Sequence, residues 1–484
     1  MQTDEKKPGL IPFARRDWLL LLVVAICALV FAFCQPSIFD QNFRLPGIGM
    51  TLSTLVLLAA GMCFIGKKRI RLSKQCAFLT AAAVLLALCF GIFDNEILRL
   101  MNLPVLFALC MLALLSAAHG PEYLTGARLL PRIIAYLMQA LKRIPLPCRA
   151  VADTLKRRVN SGTPALLLGL AITIPVVGVV LLLLYSADSV FAAMLERLFY
   201  QPDNGDIALL IWRLLKMLVL TLLTFTLLHT LSAPAAQKDS AEHRAFPMSA
   251  MLMPLAALVI LLAIFDYIQC KYLFGGAYIE VIRGDYAQYA RSGFFQLVIA
   301  AAISMLLALS ALRRHPDNAA IRVLSALLSL LTGLLTFSAA RRMQLYILEF
   351  GFTTLRAVTL WGMLAILMLI ASALVKVVRP HTRIRSALCA AIIVTWLMLN
   401  YANVDARISQ YNFAAWQRGA LRELDTDLIA VELSPDALPP LRKLAAGDAL
   451  LQQRLDKLEA HFEQMTRPVW YDWSLSWTKL RPGK

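Results

Sequence analysis

Apolar residues fall in long uninterrupted runs along this chain, separated by short polar connections that are mostly basic. Eleven runs approach or exceed the roughly 17–25 residues a helix needs to cross the ~30 Å hydrocarbon core of a bilayer. They lie at about 18–34, 48–65, 76–93, 100–118, 163–187, 207–231, 248–268, 293–312, 322–340, 355–377 and 386–402. Each is expected to be helical, because a helix satisfies its own backbone groups where no water can. Lys6, Lys7, Arg15 and Arg16 precede the first run as they would a secretory signal. No small-x-small pattern follows, and Phe33 precedes Cys34, so an uncleaved span is expected.

Two stretches break the pattern. Residues 119–162 mix apolar residues with Arg128, Arg132, Lys142, Arg143, Arg149, Lys156, Arg157 and Arg158. Two readings stand side by side: helices lying on an anionic leaflet, or a solvated loop whose charge sets orientation. Residues 403–484 predict short helices broken at Ser434-Pro435 and Pro439-Pro440, then a polar helix near 446–465. Trp470, Trp473 and Trp477 would share one face if their segment were helical, a placement that suits a membrane interface. The expected fold is all-α: a polytopic helical membrane protein with about eleven transmembrane helices and a small α-helical extracytoplasmic carboxyl-terminal tail. Four parts are expected: a four-span unit (1–118), a basic amphipathic connection (119–162), a seven-span core (163–402) and the tail (403–484).

Composition sharpens this. Of 484 residues, 59% are hydrophobic and 16% charged, against roughly 45–50% and about 25% in soluble domains. Soluble enzymes, disordered chains, collagens and disulfide scaffolds are thereby excluded. The net charge of +18 would otherwise suggest nucleic acid, but its distribution explains it. The amino-terminal segment and the connections after even-numbered spans hold 26 Lys and Arg, while the connections on the other side hold 8. Cytoplasmic loops carry that excess, so the amino terminus is expected in the cytoplasm and the tail outside. No nucleic-acid partner is expected. The nine cysteines form no CxxC pair, the six histidines form no HExxH, and there is no GxxxxGK[ST] loop. No metal, cofactor or catalytic residue is selected.

Polar residues in and beside the spans carry what chemistry there is. Asp188 ends the fifth span, and Arg213 and Lys216 stand three apart on one face of the sixth. Asp266 and Gln269 end the seventh, Arg291 and Gln296 open the eighth, and Arg341, Arg342 and Glu349 follow the ninth. Arg356 opens the tenth, and Asn400, Asn403 and Asp405 leave the last. In the expected orientation all of these face the extracytoplasmic half. The candidate ligand-binding set is Asp188, Arg213, Lys216, Asp266, Arg291, Glu349, Arg356, Asn400 and Asp405. A deep Arg costs roughly 2.5–3.5 kcal/mol on insertion scales. Arg213 lies only about 10 Å into its span, so it can snorkel or pair with Asp188 or Asp266. The alternative is an outward-facing polar cavity.

Five stretches also carry a resemblance: Ser186-Ala187-Asp188-Ser189-Val190-Phe191; Gly275-Gly276 through Tyr289-Ala290-Arg291-Ser292-Gly293-Phe294-Phe295-Gln296-Leu297; Leu345-Tyr346 through Glu349-Phe350-Gly351-Phe352-Thr353 to Leu355-Arg356; Asn400 through Asn403-Val404-Asp405-Ala406-Arg407-Ile408; and Leu433-Ser434-Pro435-Asp436-Ala437-Leu438-Pro439. Over roughly 160–480 the chain resembles a family of uncharacterised bacterial multi-pass membrane proteins, a domain of unknown function. Phe352 and Val404 depart from that pattern, where such proteins often have Leu and Pro. The resemblance implies a bacterial cytoplasmic (inner) membrane and no assigned activity. The lipid bilayer is the expected partner, and protein partners stay open. Three functions are weighed. The first is transport or binding of an anionic lipid or envelope precursor at the outer polar site, because Arg suits phosphate and carboxylate. The second is a non-enzymatic scaffold or sensor acting through the tail and the basic connection. The third, an enzyme, ranks below both: a lipid-linked transferase with Asp188, Asp266, Asp285 or Asp405 as base.

Overall fold

The computed structural model describes residues 13–34, 44–66, 73–124, 129–156, 205–232, 247–273, 294–421, 433–447, 449–464 and 470–480, with scattered helical positions between 173 and 194. The described residues contain helices and no strand. The helices are α1 (Arg15–Cys34), α2 (Ile48–Ile65), α3 (Lys74–Ile92), α4 (Glu96–His119), α5 (Pro121–Leu124), α6 (Leu129–Lys142), α7 (Pro145–Lys156) and α8 (Gly205–Thr230). Then follow α9 (Ser249–Leu273), α10 (Phe294–Arg314), α11 (Ala319–Phe350), α12 (Thr354–Val378), α13 (Arg385–Tyr401), α14 (Val404–Gln417), α15 (Leu438–Ala445) and α16 (Ala449–Gln464).

Among the described residues nine helices, α1–α4 and α8–α12, are long and apolar enough to cross a membrane. The chain is therefore a multi-pass membrane protein. Each of these helices coincides with an expected run. The run at 163–187 lies outside the described residues apart from a few positions. The last run is α13, which bends by 64° into α14. Past that bend α14 carries Asp405, Arg407, Gln410 and Asn412 and is far more polar than the apolar helices.

The chain divides into two compact units. In the first, residues 1–92, 102–238 and 467–474, α1 packs on α8 and α2, and α2 on α3. Leu20, Val24, Ala28 and Ala32 recur every fourth position and are buried, the spacing that keeps one helix face inward. The described residues of the basic connection form α5, α6 and α7, and α6 packs on α8. At the start of α2 the amides of Gly47, Ile48 and Gly49 donate to the carbonyls of Tyr471, Trp473 and Tyr471 at 3.1, 2.8 and 2.9 Å. These are donors that a helix N-terminus leaves without intrahelical partners. A Cβ on Gly47 would stand 2.3 Å from the Trp473 carbonyl oxygen, and one on Gly49 would stand 2.1 Å from the Tyr471 ring. Residues 470–472 form a turn rather than a helix, so the tryptophans share no helical face. The anchor is Tyr471, fully buried, while Trp470 is exposed.

In the second unit, residues 93–101, 239–466 and 475–484, α10, α11 and α12 pack on one another and α9 on α11. Leu255, Met305, Ala308, Ile321, Leu328, Ile366 and Ala373 make the core. Hydroxyls of Ser329, Thr332 and Thr336 donate to carbonyls one turn back, which removes unpaired polar groups from an apolar helix. Asn318 caps α11 and Thr353 caps α12. In the tail, Pro439 and Pro440 do not break a helix. They open α15, where a missing N–H costs nothing.

Candidate functional site

The second unit gathers its buried polar groups where α13 turns into α14. Asn403 makes the turn with a positive φ of 50°, and its side chain caps α14 by accepting from the Ala406 amide at 3.3 Å. Asp405 thereby enters the protein interior in the first turn of α14 and is 2% exposed. Its Oδ2 accepts from the Ser434 amide at 3.1 Å and the Ser434 hydroxyl at 2.6 Å, and its Oδ1 accepts from Asn95 Nδ2. Asn95 also donates to Thr354 Oγ1 at 3.1 Å and caps α4 at the Leu98 amide. Burial pushes the Asp405 carboxyl up to about 6, against the hydrogen bonds from Ser434 and Asn95.

A second carboxylate lies beside it. Asp436, in the 3₁₀ turn Pro435–Ala437, is 1% exposed and accepts from Ser476 Oγ and from Lys479 Nζ in an ion pair. Ser409 of α14 donates to the Ala437 carbonyl at 3.2 Å. Asp94 receives Trp477 Nε1 at 2.7 Å and pairs with the buried Arg99. Nearby, Gly351 ends α11 with φ of 77°. Asn412 grips the next residue, accepting from the Phe352 amide at 2.6 Å and donating to its carbonyl at 2.9 Å. A Cβ on Gly351 would meet Asn412 Oδ1 at 2.9 Å. Arg356 donates to the Phe350 and Gly351 carbonyls and lies 4.1 Å from the Tyr346 ring centroid. An open cleft of about 430 Å³ flanks the junction, lined by Asn403, Arg407, Gln410, Pro439, Pro440 and Lys443 among others.

Asp188 and Arg291 lie outside the described residues. Arg213 and Lys216 belong to the first unit, 5.7 and 5.9 Å from the ring centroids of Phe33 and Phe31. Asp266 is buried on α9, one turn from Gln269, which accepts from Arg342. Glu349 is exposed. Asn400 is buried and donates to the Trp396 carbonyl at 2.9 Å. Of the described candidates, Arg356, Asn400 and Asp405 stand among the bonded groups around the α13–α14 turn. Asn95 and Ser434, which bond Asp405, and Thr354, Asp436, Ser476 and Lys479 around them were not in the expected set. Ser434-Pro435-Asp436 did stand out in the sequence, as a chain break and within a stretch that carries the resemblance. Both Asp405 oxygens are taken by donors, and so are both Asp436 oxygens. Among the described residues no three His, Cys, Asp or Glu stand together as metal ligands.

Compared with known families, residues 80–444 match the model described as "Domain of unknown function (DUF4153)". No curated protein and no solved structure matches the chain.

Proposed function

The chain belongs to the DUF4153 family, and we propose that it is a bacterial inner-membrane scaffold, non-enzymatic, that acts through its folded tail. In this reading about eleven spans anchor it, the amino terminus is cytoplasmic, and the tail stands on the extracytoplasmic side. The observation that supports the reading is the Asp405–Ser434 bonding, backed by Asp436 with Ser476 and Lys479. A carboxylate buried at such cost has its function in fixing the tail, and a fixed tail offers a partner a defined surface. Three of the five stretches that carry the family resemblance, Leu345 to Arg356, Asn400 to Ile408 and Leu433 to Pro439, contribute residues to this junction or its immediate neighbourhood.

The test is in-cell photo-crosslinking from Lys443 at the cleft rim. A discrete crosslinked species is expected from the native chain and should vanish with Asp405→Ala, while reporter fusions at Lys74, Arg158 and Lys484 still give the same sidedness. Crosslinks indifferent to Asp405→Ala would overturn the scaffold reading. A second reading, transport or binding of an anionic lipid or envelope precursor, draws on Arg213 and Lys216 resting on aromatic rings inside a span. It requires that Arg213→Gln abolish anionic-lipid movement in proteoliposomes with the tail intact.

A further inference from the structure

Helix α6 is apolar on two sides and too short to be a span. Its 14 residues reach about 21 Å, short of the ~30 Å hydrocarbon core. One side belongs to the fold: Tyr136 and Ala140, one turn apart, are buried, and the Tyr136 hydroxyl donates to the Leu227 carbonyl of α8. The other side is an apolar stripe that the described residues leave largely uncovered. Ile134, Leu137, Met138 and Leu141 recur at i, i+3, i+4 and i+7 and are 52%, 37%, 51% and 50% exposed.

The position of the helix says what covers that stripe. Leu227 and His229 lie in the last turn of α8. His229 faces Arg143 just past α6 at 3.4 Å and Asp17 in the first turn of α1 at 3.8 Å. Helix α6 therefore sits at the level where two spans end, which is a bilayer surface. The segment that contains it is strongly basic. Between 119 and 162 stand eight Lys and Arg against two acids, Glu122 and Asp153, and Lys142 and Arg149 are exposed. An apolar stripe flanked by free cations at a span boundary is the pattern of a helix lying in a leaflet that carries anionic lipid.

We infer that α6 lies in the plane of the membrane, with Ile134, Leu137, Met138 and Leu141 in the headgroup–acyl boundary, and that Lys142 and Arg149 gather anionic phospholipid headgroups. The surface is a lipid-binding site distinct from the tail junction and independent of the scaffold reading.

The test uses the full chain in nanodiscs of phosphatidylcholine with a minority of phosphatidylglycerol. Benzoylphenylalanine replacing Met138 should give lipid adducts on irradiation, whereas the same group replacing Ala140 should crosslink within the chain to α8. Phosphatidylglycerol should exceed its share of the bilayer among the Met138 adducts by about fivefold, the enrichment that ~1 kcal/mol per surface cation implies. Lys142→Gln with Arg149→Gln, both at exposed positions, should return it to its share. Protein adducts in place of lipid at Met138 would overturn the membrane placement. Lipid adducts without phosphatidylglycerol enrichment, or enrichment indifferent to the two substitutions, would overturn the headgroup assignment.

Discussion

The tail is held in two unlike ways. In the second unit it is held by buried carboxylates: Asp405 takes Ser434 and Asn95, and Asp436 takes Ser476 and Lys479. In the first unit it is held by backbone and shape. Amides of Gly47, Ile48 and Gly49 donate to the carbonyls of residues 471 and 473; the backbone of residues 472 and 473 fills the space a Cβ would take at Gly47, and the Tyr471 ring, with Phe31 edge-on at 6.0 Å, fills it at Gly49. The first kind of bond is specific and costly to leave half made, since a buried donor without its acceptor is penalised in full. The second is a close steric and backbone fit that depends on two glycines. The two should therefore fail under different provocations.

The largest expected effect is Asp405→Ala. It strands Asn95 and the Ser434 amide in the interior, and each buried donor left without its acceptor costs roughly 1–3 kcal/mol. Limited proteolysis of the purified protein should then cut within 433–464 while the apolar helices stay intact. Equal protection in the variant and the native chain would mean that the carboxylate does not hold the tail.

Next in size is pH. The Asp405 carboxyl is raised from 3.8 to about 6 in the folded protein. A raised acid gives stability that is fully present below the unfolded value and lost as pH rises through the folded one, on the order of 3 kcal/mol at most. Tail protection should rise as pH falls from 7 to 5. Asp405→Asn, which cannot ionise, should flatten that dependence. Tyr471 is held above the ordinary phenol value, chiefly by burial, so the glycine-borne contact should not respond over this range. Hydrogen exchange at Gly47–Gly49 and at Ser434 reads the two separately, and a matching pH response at both would erase the distinction.

Smaller again is Gly47→Ala. Its new methyl would meet backbone at 2.3–2.7 Å, contacts only a backbone shift can relieve, at roughly 1–3 kcal/mol. Amide protection at Gly47–Gly49 should fall, with protection at Ser434 unchanged.

These contrasts also explain what the sequence could reveal. The apolar runs were legible because hydrocarbon allows them a single backbone solution, and nine reappear as helices of spanning length. Asp405 was legible as a polar residue leaving the last span. Its partner Asn95 lies 310 positions away, and no local pattern encodes such a pairing. The tryptophan face assumed a helix that is not there, because Gly47 and Gly49 select Tyr471 instead, across more than 400 residues. Arg356 looked like a ligand-seeking cation, yet it closes the C-terminal end of α11 by taking two carbonyls. Position along a span is readable from sequence, whereas occupancy by a partner is a tertiary fact.

Arg213 sharpens the contrast with the smallest effect. Its guanidinium lies over the Phe33 ring at 5.7 Å, and among the described residues its buried Nε has no hydrogen-bond partner. A cation on an aromatic face contributes roughly 0.5–2 kcal/mol, well below a carboxylate that holds three donors. Arg213→Met keeps most of the apolar stem and deletes the charge. It should shift thermal stability by no more than that amount, and combined with Asp405→Ala its effect should add within about 0.5 kcal/mol. A loss as large as that of Asp405→Ala would mean that a buried acid holds Arg213. The first unit would then be built on charge as the second is, and the division between steric and ionic fastening would fall.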